Sequence, residues 1–227
     1  SGFQYVRVLA MVDWQGQEIT PASHTKRDGT SIAAWPDYDR QLTTLVDAVY
    51  SYGMRTELTL FADAQYVMPS AEARRQFLQH LLTLLKDREE KIILYEIANE
   101  AWQNGFPDDA GGTQLRALGA EAAALTPIPI ALSSPPGLEN LVPLYRGSKA
   151  TLATMHFSRD TRTELGAWLP VVDCWKIHSL EGLPPVSSNE PIGPGASVAS
   201  EDDPEKIFAA AAFAYLATCQ KHWLAEQ

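Results

Sequence analysis

Two glutamates directly follow predicted β-strands, in settings that suit acid–base chemistry. Glu100 lies in Ile-Ala-Asn-Glu-Ala-Trp at residues 97–102, and Glu190 lies in Ser-Asn-Glu-Pro at residues 188–191. Apolar neighbours disfavour a charged carboxyl group, so we expect a raised pKa at Glu100, as a general acid requires. Two such carboxyl groups can cleave a glycosidic bond with retention when they lie about 5–5.5 Å apart. The alternative is that both are solvated turn carboxylates without a catalytic role.

Other polar and aromatic residues also stand at predicted strand ends. They are Asp13, Trp14, Asp63, Asn99, Ser133, Ser134, His156 and Asn189. Because sites in parallel α/β folds form at the carboxyl ends of the strands, we expect these side chains on one rim. Trp14 and Trp102 are candidates for stacking on a sugar ring, with plain loop packing as the alternative. Histidines His24, His80 and His222 are interpreted as solvated or helix-surface residues.

Arg7 is a charged residue inside a predicted strand, and a buried arginine needs an acidic partner. Glu190 is the first candidate for that partner. The alternative is an acid on a neighbouring strand.

The pattern of the chain is an alternation of short apolar runs and helical segments. Strands are predicted at residues 5–12, 54–61, 91–98, 128–132, 151–156 and 185–189. Helices are predicted at residues 37–52, from 70, at 112–125, 138–145, 160–169 and 202–224, and residues 171–177 are a short strand or an extended loop. This order indicates an α/β fold with a parallel sheet, either a (β/α) barrel or an open doubly wound sheet. The first strand lacks the Gly-rich turn of dinucleotide-binding open sheets.

Composition excludes several classes of function. The chain has 227 residues, of which 45% are hydrophobic, so we expect one domain over residues 1–227. The net charge of −10 disfavours nucleic acids and anionic membranes as partners. Two cysteines, Cys174 and Cys219, cannot form a disulfide framework. The sequence contains no HExxH motif and no GxSxG elbow, so we expect no metal, no cofactor and no serine nucleophile.

The segment Leu-Tyr-Glu-Ile-Ala-Asn-Glu at residues 94–100 resembles the strand-four motif of clan A glycoside hydrolases, notably the cellulase-like family 5. The resemblance implies that Glu100 is the acid/base and that Glu190, 90 residues later, is the strand-seven nucleophile. It further implies that Arg7 supports the nucleophile and that His156 lines the sugar site.

The same resemblance implies a TIM-type barrel and a carbohydrate substrate, with Asn99 bound to the sugar 2-hydroxyl. The chain departs from the family at Asp63, where a histidine is common, and it has no counterpart of the strand-eight tryptophan. The first and last strands are not found, which predicts an incomplete barrel of about six parallel strands with outer helices.

An incomplete barrel exposes two strand edges, which are liable to pair with other chains. We therefore hypothesise a fragment or a natural minimal form, whose open edges another chain covers in a homo-oligomer. The competing hypothesis is a catalytically inactive carbohydrate-binding or assembly protein on a truncated glycosidase barrel.

Overall fold

The computed structural model describes residues 4–14, 17–157 and 169–190, together with residues 205 and 208. The chain divides into two compact units. The N-terminal unit comprises Ser1–Pro136 and Ser148–Thr151, and the C-terminal unit comprises Gly137–Gly147 and Leu152–Gln227. That the chain forms one catalytic domain stays a prediction.

The N-terminal unit contains a parallel sheet with helices. Its strands are β1 (Tyr5–Leu9), β2 (Val12–Trp14), β3 (Gln17–Ile19), β4 (His24–Thr25), β5 (Ser31–Ile32), β6 (Arg55–Phe61), β7 (Ile92–Ala98) and β8 (Ile130–Ala131). Its helices are α1 (Tyr38–Ser51), α2 (Ala64–Val67), α3 (Ala71–Leu84) and α4 (Asp108–Leu125), with a 3₁₀ turn at Lys86–Lys91. The parallel sheet has the order β1-β6-β7-β8, so each step along the chain adds a neighbouring strand.

Strand periodicity separates a polar face of this sheet from an apolar one. The register pairs Arg7 with Glu57 and Thr59 with Glu96, which brings these polar residues to one face. Leu58 alternates with them and is fully buried in the core. The polar face therefore carries buried charge deep in the unit, and this charge must be compensated locally.

Helix α1 ends and helix α3 begins where their sequence signals predict. Ser70 caps α3 by accepting a hydrogen bond at its side chain from the Ala73 N–H at 3.1 Å. Gly53 follows α1 with a φ of 79°, a left-handed conformation that suits glycine after a helix. The apolar stripe predicted for α3 is buried; it consists of Phe77, Leu78, Leu81, Leu82 and Leu85. Packing of Phe77 on Phe61, with ring centroids 5.9 Å apart, fixes α3 against the sheet.

The segment between β1 and α1 differs from the predicted loop. It forms two antiparallel hairpins, β2–β3 and β4–β5, which are too short for their periodicity to stand out in the sequence. Helix α4 begins at Asp108, four residues earlier than predicted.

In the C-terminal unit, α5 (Leu141–Tyr145) follows a 3₁₀ turn at Leu138–Asn140, and β9 (Ala153–Thr154) pairs in parallel with β10 (Val186–Ser187). The prediction of a strand or extended loop at residues 171–177 is wrong, because α6 (Leu169–His178) occupies this span. Pro170 lies in the first turn of α6, where a proline is tolerated. The helices predicted at 160–169 and 202–224 lie almost entirely outside the described residues.

Six parallel strands are present in the described part of the chain, four in one sheet and two in the other, and they form no closed barrel there. The prediction of an α/β fold with about six parallel strands is confirmed. Within the same residues, no helix is both long and apolar enough to span a bilayer.

Candidate functional site

Glu100 lies in a tight turn immediately after β7. The Asn99 N–H donates to the Phe61 carbonyl oxygen at 2.9 Å, which extends the sheet ladder by one residue. Glu100 itself has a φ of 34°, in the left-handed region that residues other than glycine rarely adopt. Such backbone conformations cost on the order of 1–3 kcal/mol and persist only where the surroundings impose them.

Arg7 is held by a buried network below this turn. Its Nη2 donates to Glu96 Oε2 at 2.6 Å and to Asn99 Oδ1 at 2.9 Å, and Glu96 is fully buried. Its Nε donates to Thr59 Oγ1 at 3.1 Å and lies 3.6 Å from Glu57 Oε1. In the described residues Arg7 thus contacts two acids of its own sheet, Glu57 on β6 and Glu96 on β7.

The contact with Arg7 orients the Asn99 side chain. Because the amide oxygen of Asn99 accepts from the guanidinium, its NH₂ group is turned to the opposite side of the planar amide. An NH₂ group fixed in this way can donate a hydrogen bond to a hydroxyl group on the rim.

Asp63 stands just beyond the end of β6 and directly before α2. Its Oδ2 accepts from the Asp13 N–H at 2.9 Å, and its own N–H donates to Asn104 Oδ1 at 3.0 Å. Burial raises the pKa of Asp63 above its usual value, opposed by the hydrogen bond from the Asp13 backbone. Asp63 thus ties the β2 hairpin to the strand ends instead of presenting a freely solvated acid.

His24 is buried, so its interpretation as a solvated residue is wrong. Its Nε2 lies 2.8 Å from Asp13 Oδ2, and the side chains of both residues are almost fully shielded from solvent. Lys26 Nζ lies 3.1 Å from the other oxygen of Asp13 and also contacts Glu18. The hairpins create this pairing by folding residues eleven positions apart against each other. His80, by contrast, is exposed as predicted, and His222 lies outside the described residues.

The C-terminal unit carries the second glutamate. Parallel strands β9 and β10 continue their ladder through the Met155 N–H, which donates to the Ser187 carbonyl oxygen at 3.0 Å. Beyond the strands, His156 Nδ1 lies 3.5 Å from Glu190 Oε2, with the histidine side chain buried and the glutamate partly exposed. His156 and Glu190 are thus neighbours within this unit.

Of the two tryptophans that are candidates for stacking on a sugar, the structure describes the side chain of Trp102 only. Trp102 lies two residues after Glu100 in the chain and is 46% exposed, so part of its indole is open to solvent. Trp14 ends β2, and its side chain lies outside the described residues. Ser133 and Ser134 are buried behind β8, where Ser133 Oγ accepts from the Ala101 N–H at 2.9 Å.

The structure brings Arg7, Asn99 and Glu100 together in the N-terminal unit, and His156 and Glu190 together in the C-terminal unit. Sequence reasoning missed Glu96, although an acid inside the apolar run of β7 is itself a signal of a buried partner. It also missed Asn104, whose Asn-Gly dipeptide marks a turn. Across the described ranges, no three His, Cys, Asp or Glu side chains are grouped as metal ligands.

Parallel strands followed by helices, with polar residues and two glutamates at the strand ends, define a fold of the (β/α)-barrel class. No sequence-family model and no curated protein matches the chain. Solved structures of glycoside hydrolases do match, several of them from family 5, so the resemblance to clan A is confirmed for the fold.

Three of these structures illustrate the similarity. The endo-β-mannanase/endo-β-glucanase of Prevotella bryantii is 13% identical, with a TM-score of 0.65 over 97% of this chain and 37% of that chain. A GH5-4 broad specificity endoglucanase from Clostridium acetobutylicum is 12% identical, with a TM-score of 0.61 over 97% and 74%. An exo-β-1,4-mannosidase from Opitutaceae bacterium strain TAV5 is 15% identical, with a TM-score of 0.58 over 97% and 44%.

The chain spans only part of the proteins that it resembles. It covers between 37% and 44% of the length of three of the matched chains. At 11% to 15% identity the similarity establishes the fold, and chemistry has to be argued from the residues themselves.

Proposed function

We propose that this chain is a retaining glycoside hydrolase acting on β-linked glycosides or polysaccharides, with Glu100 as acid/base and Glu190 as nucleophile. The observation that carries the proposal is the Asn99-Glu100 pair at the end of β7, with Asn99 held by Arg7 on a barrel-type fold shared with glycoside hydrolases. The substrate class follows from the β-glucan and β-mannan activities named for the similar proteins.

In the first step, the Glu190 carboxylate attacks the anomeric carbon while the bond to the leaving oxygen breaks. Glu100 gives its proton to that oxygen. In the second step, Glu100 takes a proton from water, the water oxygen bonds to the anomeric carbon, and Glu190 is released. His156, 3.5 Å from Glu190, orients the attacking carboxylate.

The remaining residues bind the sugar. Asn99 donates to the 2-hydroxyl through the NH₂ group that Arg7 leaves available. Trp102 offers an exposed indole for stacking on a pyranose face, and Trp14 is proposed for the same role. Arg7 supports the rim from below through its bond to Glu96.

A panel of nitrophenyl β-glycosides tests the proposal with Glu100→Ala and Glu190→Ala. General acid–base catalysis contributes roughly 10²- to 10⁴-fold, so each variant should lose at least that order of turnover without unfolding. Matched controls are Glu72→Ala and Glu181→Ala, two exposed glutamates that should keep full activity. Full activity in both catalytic variants contradicts the assignment.

Binding without turnover points to the competing function. If the wild-type protein binds β-glycans yet hydrolyses no glycoside in the panel, the chain is a carbohydrate-binding protein on a glycosidase fold. An inverting stereochemical outcome, read by NMR of the first-formed product, contradicts the retaining mechanism only.

We also propose that a second copy of the chain covers the open sheet edges. In the described residues β1 lies at one end of the sheet order and β8 at the other. A dimer in light scattering supports this homo-oligomer, whereas a monomer that does not bind the dye ANS contradicts it.

A further inference from the structure

Asn104 connects the ends of two neighbouring strands through both halves of its side-chain amide. Its Nδ2 donates to the Asn99 carbonyl oxygen at 2.8 Å, and its Oδ1 accepts from the Asp63 N–H at 3.0 Å. The residue is 8% exposed, so these bonds are shielded from water. Each bond fixes a backbone atom at the end of β7 or just beyond β6.

The turn between Glu100 and Asn104 is closed by its own backbone. The Gln103 N–H donates to the Glu100 carbonyl oxygen at 2.9 Å, and the Asn104 N–H donates to the Ala101 carbonyl oxygen at 3.1 Å. Asn104 Nδ2 also lies 3.5 Å from the Glu100 carbonyl oxygen. The Asn104 amide therefore contacts the backbone of Glu100, whose φ of 34° is in the strained left-handed region.

Two further contacts show that this turn is held from several directions. Ser133 Oγ accepts from the Ala101 N–H at 2.9 Å, and Gln103 Nε2 donates to Glu100 Oε2 at the carboxyl group itself. Of these anchors, Asn104 alone bonds the backbone at the ends of both β6 and β7. A left-handed residue next to a strand end needs such a constraint to keep one side-chain direction.

We infer that Asn104 is the positioning residue for Glu100, which it holds in the orientation from which the carboxyl group protonates the leaving oxygen. This inference rests on the proposed function. Asn104 does not touch the substrate; it acts through the backbone of Asn99 and Glu100. A misplaced Glu100 should therefore impair protonation of the leaving group and leave nucleophilic attack intact.

The test compares Asn104→Ala with wild type on two aryl β-glycosides. A phenyl leaving group needs protonation, whereas a dinitrophenolate leaves without it. We expect kcat/KM on the phenyl glycoside to fall by roughly 10-fold or more, since the first step on this substrate relies on general acid catalysis. On the dinitrophenyl glycoside, kcat/KM, which reports the first step alone, should stay within about 2-fold of wild type, because that step bypasses the acid.

The control is Asn140→Ala, an exposed asparagine in the C-terminal unit that should behave as wild type on both substrates. If Asn104→Ala does not fold, Asn104→Asp carries the same test, because it keeps an acceptor for the Asp63 N–H and loses the donor to Asn99. Equal losses on both substrates, or no loss on either, overturn the inference.

A second measurement separates this inference from the proposed function. If wild type hydrolyses neither substrate, the proposed function fails, and carbon-13 NMR titration of the Glu100 carboxyl group decides about Asn104. A positioning role requires that Asn104→Ala changes the titration of Glu100 while Asn140→Ala does not. An unchanged Glu100 titration in Asn104→Ala overturns it.

Discussion

The two strand-end glutamates lie in regions built in different ways. Glu100 follows a seven-residue strand whose neighbours contribute a buried ionic network, with Arg7 and Glu96 joined at 2.6 Å. Glu190 follows a two-residue strand, and its described ionic contact is with His156 at 3.5 Å. The side chain of Glu96 is fully buried, whereas that of Glu190 is 28% exposed.

This difference indicates how each carboxyl group obtains its direction. At Glu100, ladder bonds and the Asn104 amide hold the backbone, and Arg7 holds the side chain of the adjacent Asn99. At Glu190, the contact with His156 is longer, at 3.5 Å, and the glutamate side chain is partly exposed. Substitutions around Glu100 should therefore cost folding stability, and substitutions at Glu190 should not.

The largest expected effect is at Glu96. Replacing it with alanine leaves the Arg7 guanidinium without its shortest ionic contact, and breaking a buried pair on one side costs about 3–5 kcal/mol. Urea unfolding should show this loss. The control is Glu121→Ala, which removes a contact to the exposed Arg75 and should cost at most about 1 kcal/mol. Equal losses in the two variants would remove the contrast between buried and surface charge.

How far the sequence predicts the fold depends on strand length. Strands β6 and β7 are predicted to within one residue, because seven consecutive β-forming positions leave a clear pattern. The strands at 128–132, 151–156 and 185–189 are predicted too long. Each has two residues, since backbone pairing with a neighbour, rather than local propensity, decides where they end.

The sequence predicts which residue types form the site, but not which residues contact each other there. The strand-end rule identifies Asn99 and Glu100, since it depends only on where an apolar run stops. The partner of Arg7 depends on register, which pairs Thr59 with Glu96 across two strands. His24 meets Asp13 only because of the hairpins, and the sequence shows no periodicity for those.

The next effect is at Gly105, in the turn that carries Glu100. Its φ is +99°, and an added Cβ would lie 2.7 Å from the Gln65 nitrogen and 2.8 Å from Arg74 Nη2. Gly105→Ala should destabilise the protein by roughly 1–3 kcal/mol, as expected for a strained backbone. Gly112→Ala is the control: it lies in α4 with nothing near its Cβ, so it should stabilise by up to about 1 kcal/mol. The same sign in both variants would contradict this description of the turn.

A smaller effect concerns the buried acid at the end of β6. The folded-state pKa of Asp63 is raised by burial, so the unfolded chain releases this proton at lower pH than the folded protein does. Stability contributed by Asp63 therefore falls as pH rises from about 4, the unfolded value, through the folded pKa. Asp63→Asn keeps an acceptor for the Asp13 N–H and removes that fall.

The measurement is the urea midpoint of Asp63→Asn and wild type at two pH values. The variant should exceed wild type at pH 7 and match it at a pH below the unfolded pKa. Asp13, His24 and Lys26 also face this group, so His24→Gln is run in parallel to remove the titration of the histidine. A variant that is less stable than wild type at pH 7 would mean that the Asp63 charge is compensated.

The smallest stability effect is expected at Glu190, where the contrast between the two regions is sharpest. Glu190→Gln replaces the carboxylate that lies 3.5 Å from His156 Nδ1 and keeps the size of a partly exposed side chain. Ion pairs of this kind contribute about 0–1 kcal/mol, so the urea midpoint should barely move even though turnover is lost. A loss of about 3 kcal/mol in the free energy of unfolding, comparable to that expected for Glu96→Ala, would show that Glu190 contributes as much to stability as the buried contact between Arg7 and Glu96. If Glu190→Gln keeps the urea midpoint and loses turnover, Glu190 acts in catalysis. Glu96, by contrast, would then contribute to folding stability, as the structures of the two regions suggest.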